Sequence, residues 1–188
     1  MESKEELIGR LKDGNARFVA DKLDGALQDS SRRSSLSGGQ SPFAIILSCA
    51  DSRVVPELAF DTGLGELFVI RVAGNTANTS SVASIEYAVA HLGCKLIVVM
   101  GHESCGAVTA ALAGGDLGKN LNHLLGHIKT AKSAGKDAEV NAVVKDHAKA
   151  TVGDLAEASS IISDAVKSGG LSIVPAYYEL GSGKVTFN

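Results

Sequence analysis

Apolar residues follow two rhythms along this chain. Between residues 3 and 21, Leu7, Ile8, Leu11, Phe18 and Val19 fall on one side of a helical repeat, which predicts an amphipathic helix. The Ser-rich stretch 24–41, with Gly38-Gly39 ahead of Ser41-Pro42, predicts a short helix and a loop. The rhythm then changes. Runs rich in Ile, Val, Leu and Phe at 43–48, 67–72 and 96–100 are almost continuously apolar, as in strands buried on both faces of a parallel sheet. Residues 79–92 return to helical spacing, with Val82, Ile85, Val89 and Leu92 as the buried stripe and Asn78, Thr79 and Ser80 available as caps.

The second half reads as mainly helical. An Ala-rich helix follows Cys105 to about residue 113 and ends at Gly114-Gly115; further helices cover 118–133 and, in two pieces, 138–167. Residues 171–174 and 184–187 are strand-like across the Gly181-Ser182-Gly183 turn, and Pro175 points to an edge position. Strands alternating with helices make this an α/β chain. Its 188 residues predict one domain: an N-terminal helical arm (1–40), a core (41–113), and a helical region with an edge strand (114–188).

Composition narrows the function classes. Hydrophobic residues make up 45%, too many for a disordered chain. A formal charge of −3 argues against a nucleic-acid or anionic-membrane partner. No apolar run approaches the ~20 residues that span a bilayer. The charged, mixed-sign start Met1-Glu2-Ser3-Lys4-Glu5-Glu6 is unlike a signal peptide, although a trimmed leader would leave the same start. Three unevenly spaced cysteines make no disulfide framework and suit metal-binding thiols in a reducing compartment, so the expected location is the cytoplasm.

Two of those cysteines stand where chemistry is expected. Cys49-Ala50-Asp51-Ser52-Arg53 follows the first apolar run, Ala73-Gly74-Asn75 the second, and His102-Glu103-Ser104-Cys105 the third. Open α/β sheets bind ligands beyond the carboxyl ends of their strands, so parallel neighbours would gather all three segments on one rim. His102 and Cys105 share a face if Cys105 opens the next helix, whose positive end favours a thiolate. Gly101 and Gly106 would let backbone pass close to a metal. Two thiolates and an imidazole suit zinc and leave a fourth position for water or an internal carboxylate.

These residues resemble the signatures of the beta-class carbonic anhydrases, Cys-x-Asp-x-Arg and His-x-x-Cys. The likeness continues through Val54-Val55-Pro56-Glu57, Gly65 to Arg71, Ala73-Gly74-Asn75, Ile85 to Val89 and Gly101 to Val108. It implies a mainly parallel sheet of about four strands plus an antiparallel edge strand, flanked by helices. It also implies a homodimer or a dimer of dimers. One zinc per chain would be held by Cys49, His102 and Cys105, with Asp51 and Arg53 as a catalytic dyad acting on carbon dioxide and bicarbonate. In the subgroup resembling plant enzymes, a Gln, a Phe, a Val and a Tyr line the substrate pocket. Here those positions are Gln40, Phe68, Ala73 and Tyr87. Ala73 is the departure and widens the pocket; Gln40 is also a candidate for a neighbouring subunit's pocket.

On that reading zinc makes hydroxide from water near neutral pH, for which three-histidine carbonic anhydrases are the standard example. Two thiolates cancel the ion's charge, so activity is expected to climb on the alkaline side of neutrality. Asp51 would accept a hydrogen bond from the hydroxide while Arg53 orients it, or would close the fourth position in a resting state. Tyr87 and His91 face away from the apolar stripe of their helix, and His91 is a candidate proton shuttle. Two rival readings keep the metal: hydrolysis of carbon disulfide or carbonyl sulfide, and a non-catalytic zinc protein with Asp51 as permanent fourth ligand. Cys94 reads as a core residue, His123 and His127 as a helix face without the Glu of a zinc-protease helix, and His147 and Arg32-Arg33 as surface.

Overall fold

The alternating apolar runs become a five-stranded sheet in the computed structural model, which describes residues 2–188. Its strands are β1 (Ala44–Ser48), β2 (Leu67–Arg71), β3 (Leu96–His102), β4 (Ser172–Tyr178) and β5 (Val185–Phe187), in the order β2-β1-β3-β4-β5. The first four run parallel; β5 returns antiparallel to β4 and forms one edge. The helices are α1 (Lys4–Val19), α2 (Ser30–Ser35), α3 (Pro56–Ala59), α4 (Thr79–Ala90), α5 (Gly106–Ala113), α6 (Lys119–Gly126), α7 (Lys129–Ala134), α8 (Val140–Ala158) and α9 (Ser160–Lys167). A 3-10 turn, Ala73–Asn75, joins β2 to α4.

Successive side chains of a strand point to opposite faces, and both faces are covered. Ala44 and Ile46 pack with Leu11, Phe60, Val98 and Met100 beneath α1 and α3. Ile45 and Leu47 pack with Ile85, Ile97, Leu155 and Ile162 beneath α4, α8 and α9. Capping boxes set the helix starts: Ser3 and Glu6 satisfy each other's backbone N–H at α1, and Asn78 and Ser81 do so at α4.

Three expectations change. β2 is half-buried rather than buried on both faces, because among the described residues β1 is its one neighbour. β4 is an inner strand despite Pro175. The Pro175 carbonyl points outward to accept from the Asn188 N–H, so the missing donor falls on that same flank, just before β5 begins pairing at Ala176. The helix expected over 118–133 breaks between α6 and α7, where Ile128 (φ −86°, ψ 65°) turns inward and is only 1% exposed.

Candidate metal centre

Parallel β1, β2 and β3 end on one rim, so the segments that follow them meet. Cys49 comes directly after β1, Ala73–Asn75 soon after β2, and Cys105 is the N-cap of α5. His102 is the last residue of β3 rather than lying beyond it, because β4 continues alongside and pairs Tyr178 with it. Gly101 makes room for α8, since a Cβ there would lie 2.7 Å from Val144 Cγ1. The space around Gly106 is open.

Cys49, His102 and Cys105 are all buried, with ligand atoms within 4.8 Å of one another. His102 Nδ1 lies 2.8 Å from the Glu103 carbonyl oxygen. A carbonyl only accepts, so Nδ1 carries the proton and Nε2 is left with its lone pair. That Nε2 is buried and has no hydrogen-bond partner among the described residues. Buried polar atoms are rarely left so, and a cation between the two sulfurs satisfies this one. Two sulfurs and an imidazole nitrogen fit zinc, with one position to spare.

The electrostatics agree. The Cys105 thiol beside it draws the Cys49 thiol well below its ordinary value against burial, and the Gly74 and Asp51 N–H groups add to this. Cys105 is pushed up, first by its bond to Cys49 and then by burial, although the Val108 and Ala107 N–H groups of α5 pull the other way. Two buried thiols this close to an imidazole nitrogen are ligands from which a divalent cation displaces protons. Gly74 N–H donates to Cys49 Sγ at 3.3 Å.

Asp51 and Arg53 stand beside this cluster. Arg53 Nε donates to Asp51 Oδ1 at 2.9 Å and Nη2 to Oδ2 at 2.7 Å, which holds the carboxyl far below the usual carboxylate range. Asp51 Oδ2 lies 3.8 Å from His102 Nε2. Sequence reasoning missed two braces of this region. Arg71, which ends β2, donates from Nε to the Cys49 carbonyl (3.0 Å) and from Nη2 to the Asp51 carbonyl (2.6 Å). Its signal was a lone charge closing an apolar run. His147 is not a surface residue: it is 2% exposed and its Nε2 lies 2.9 Å from the Gly74 carbonyl.

Of the four expected pocket residues, only Ala73 lies beside the cluster, in the turn whose Gly74 touches Cys49. Phe68 is in register with Ile45, near the amino end of the sheet, its ring 6.3 Å from that of Tyr87. Tyr87 is 49% exposed and stacks on exposed His91 at 5.3 Å. Gln40 is exposed and precedes β1, whose five residues alone span about 17 Å. A parallel sheet keeps its two ends apart. One chain therefore leaves Gln40, Phe68, Tyr87 and His91 towards the other end of the sheet from its own cluster. Cys94 is buried as expected, its thiol donating to the Pro42 carbonyl and pushed up to about 11 by burial.

Comparison with known proteins points the same way. A sequence family described as carbonic anhydrase matches residues 44–185. Carbonic anhydrase 2 of Mycobacterium tuberculosis is 41% identical over 182 residues, covering 93% of this chain and 87% of that one. The carbonic anhydrase of Mycolicibacterium smegmatis is 40% identical over 182 residues, covering 93% and 88%. Among solved structures, a Coccomyxa beta-carbonic anhydrase in complex with acetazolamide superposes with a TM-score of 0.76 at 29% identity, covering 92% of this chain and 82% of that one. A structure from work on two tetrameric beta-carbonic anhydrases of Sordaria macrospora superposes at 0.75 with 26% identity, covering 93% of each chain.

Proposed function

The chain belongs to the carbonic anhydrase family, in its beta class, and from that premise we propose how its residues carry out the reversible hydration of carbon dioxide to bicarbonate. The observation that carries the reading is the buried, unpartnered His102 Nε2 between two thiols, with an ionised carboxylate 3.8 Å away. Cys49, His102 and Cys105 hold one zinc ion, which when bound supplies the Lewis acidity that makes hydroxide available from water near neutral pH.

The other roles belong to side chains. Ionised Asp51 is an acceptor only; it takes a hydrogen bond from the attacking oxygen and turns that atom's lone pair toward carbon. Arg53 grips both carboxylate oxygens, so Asp51 neither rotates nor takes up a proton in the working range. The same grip keeps the carboxylate off the metal, which supports an open site over a closed, non-catalytic one. Carbon dioxide, small and apolar, is held by shape beside Ala73. Gln40, Phe68 and Tyr87 then complete the slot of a second copy, and His91 serves that copy's proton exit. The half-buried edge of β2 and exposed Leu58, Leu64 and Tyr87 support such a pairing. Reduced thiols at the site support a cytoplasmic location.

Stopped-flow hydration by the zinc-loaded protein, beside Asp51→Asn, tests the reading. The variant is expected to lose about 100-fold or more in turnover, as when a preorganised polar group is removed. An inactive wild-type protein overturns the reading, and a fully active variant removes Asp51 from it.

A further inference from the structure

We propose that His147 is a positioning residue for the Cys49 thiolate, acting through the turn at Gly74. The inference rests on the metal-site reading above. Gly74 is held from two sides: its N–H meets Cys49 Sγ at 3.3 Å, and its carbonyl meets His147 Nε2 at 2.9 Å. The carbonyl only accepts, so Nε2 carries a proton and the neutral ring suffices as donor. Burial, which pushes the His147 pKa down, keeps the ring neutral.

The turn is close-packed and holds a conformation that suits glycine, so its two hydrogen bonds set where the N–H points. Gly74 sits at φ +70°, and a Cβ there would lie 2.9 Å from Ile128 Cδ1 and 3.2 Å from Ala107 Cβ. Without the imidazole, the buried Gly74 carbonyl loses its partner and the turn is freed to rotate toward another donor, carrying the N–H off the sulfur. An N–H bonded to a thiolate draws electron density from it, and such outer contacts set both the aim and the donor strength of a ligand. Helix α8 treats the other half of the donor set in the same way. Asn141 Oδ1 accepts from the Ser104 N–H at 2.8 Å, in the turn between His102 and Cys105. One helix thus braces both ligand-bearing turns.

Cobalt-substituted protein gives the readout: the thiolate-to-cobalt charge-transfer band, together with transfer of zinc from the native protein to a chelator. His147→Gln keeps a donor of similar reach, His147→Asn has one too short, and His147→Leu has none. The Leu and Asn variants are expected to shift the band and to bind zinc about 10–100-fold more weakly, while His147→Gln stays near wild type. Folded Leu and Asn variants with an unmoved band and unchanged zinc affinity overturn the inference, as does a Gln variant that changes as much as they do. If the Leu variant does not fold, Asn against Gln makes the same comparison. A wild-type cobalt protein without a thiolate band overturns the metal reading itself, and this inference with it.

Discussion

Asp51 and Arg53 meet because an arginine two residues on can fold back over a short turn; the Arg53 backbone N–H closes that turn onto Asp51 Oδ1 at 3.0 Å. Nothing distant is needed, so the pair was legible in the sequence. Lysine cannot reproduce the two-pronged contact. Arg53→Lys is therefore expected to keep less than roughly a tenth of the hydration rate, and Arg53→Ala to fall about 100-fold; initial rates at saturating zinc check both. His147 is the opposite case. Its neighbours Lys145 and Asp146 are exposed, and the charged stretch concealed one inward-facing ring. Burial lowers its folded pKa below the ordinary 6.5, so below that value the unfolded chain binds more protons and stability falls with pH. Between about pH 7 and 5.5 the unfolding free energy from urea titrations should drop more steeply in wild type than in His147→Gln, by at most about 1.4 kcal/mol per pH unit. Parallel profiles would reject this.

Among elements, the strands and most helices followed the period of their apolar residues. The misses came where one buried contact outweighed local preference. Ile128 breaks a helix to reach the core beneath Gly74, and β3 runs on to His102 because β4 is there to pair with it. The anchoring of α1 was also hidden. Asn15, 5% exposed, donates to the Ala59 and Gly183 carbonyls at 3.0 and 2.8 Å and accepts from the Val185 N–H at 2.8 Å. One amide ties the first helix to the end of α3 and to the β4–β5 turn. Asn15→Ala leaves three backbone groups unpaired and is expected to cost about 3 kcal/mol, read as a lower urea midpoint with an unchanged slope.

For the whole molecule, the question is what covers the free side of β2. Among the described residues that edge is unpaired, and beside exposed Leu58 and Leu64 it is an adhesive surface unless occupied. On the proposed pairing, a second copy seated there supplies Gln40, Phe68, Tyr87 and His91 to the site. Sedimentation equilibrium is expected to give an even-numbered assembly, and Leu64→Arg to dissociate it with a parallel loss of activity. A variant that stays assembled, or a monomer with full turnover, would contradict this.

The alternation of strands and helices along the chain and the Asp51–Arg53 pair were determined by sequence, because hydrophobic period and short-range spacing act over a few residues; Cys49, His102 and Cys105 were legible from their places after two apolar runs, and parallel pairing of β1 with β3 brings them together. Tertiary structure alone decided that His147 and Arg71 brace those turns and that Phe68 and Tyr87 lie at the far end from their own cluster. Those outcomes depend on strand register and helix docking between residues far apart in the chain, which no local pattern encodes.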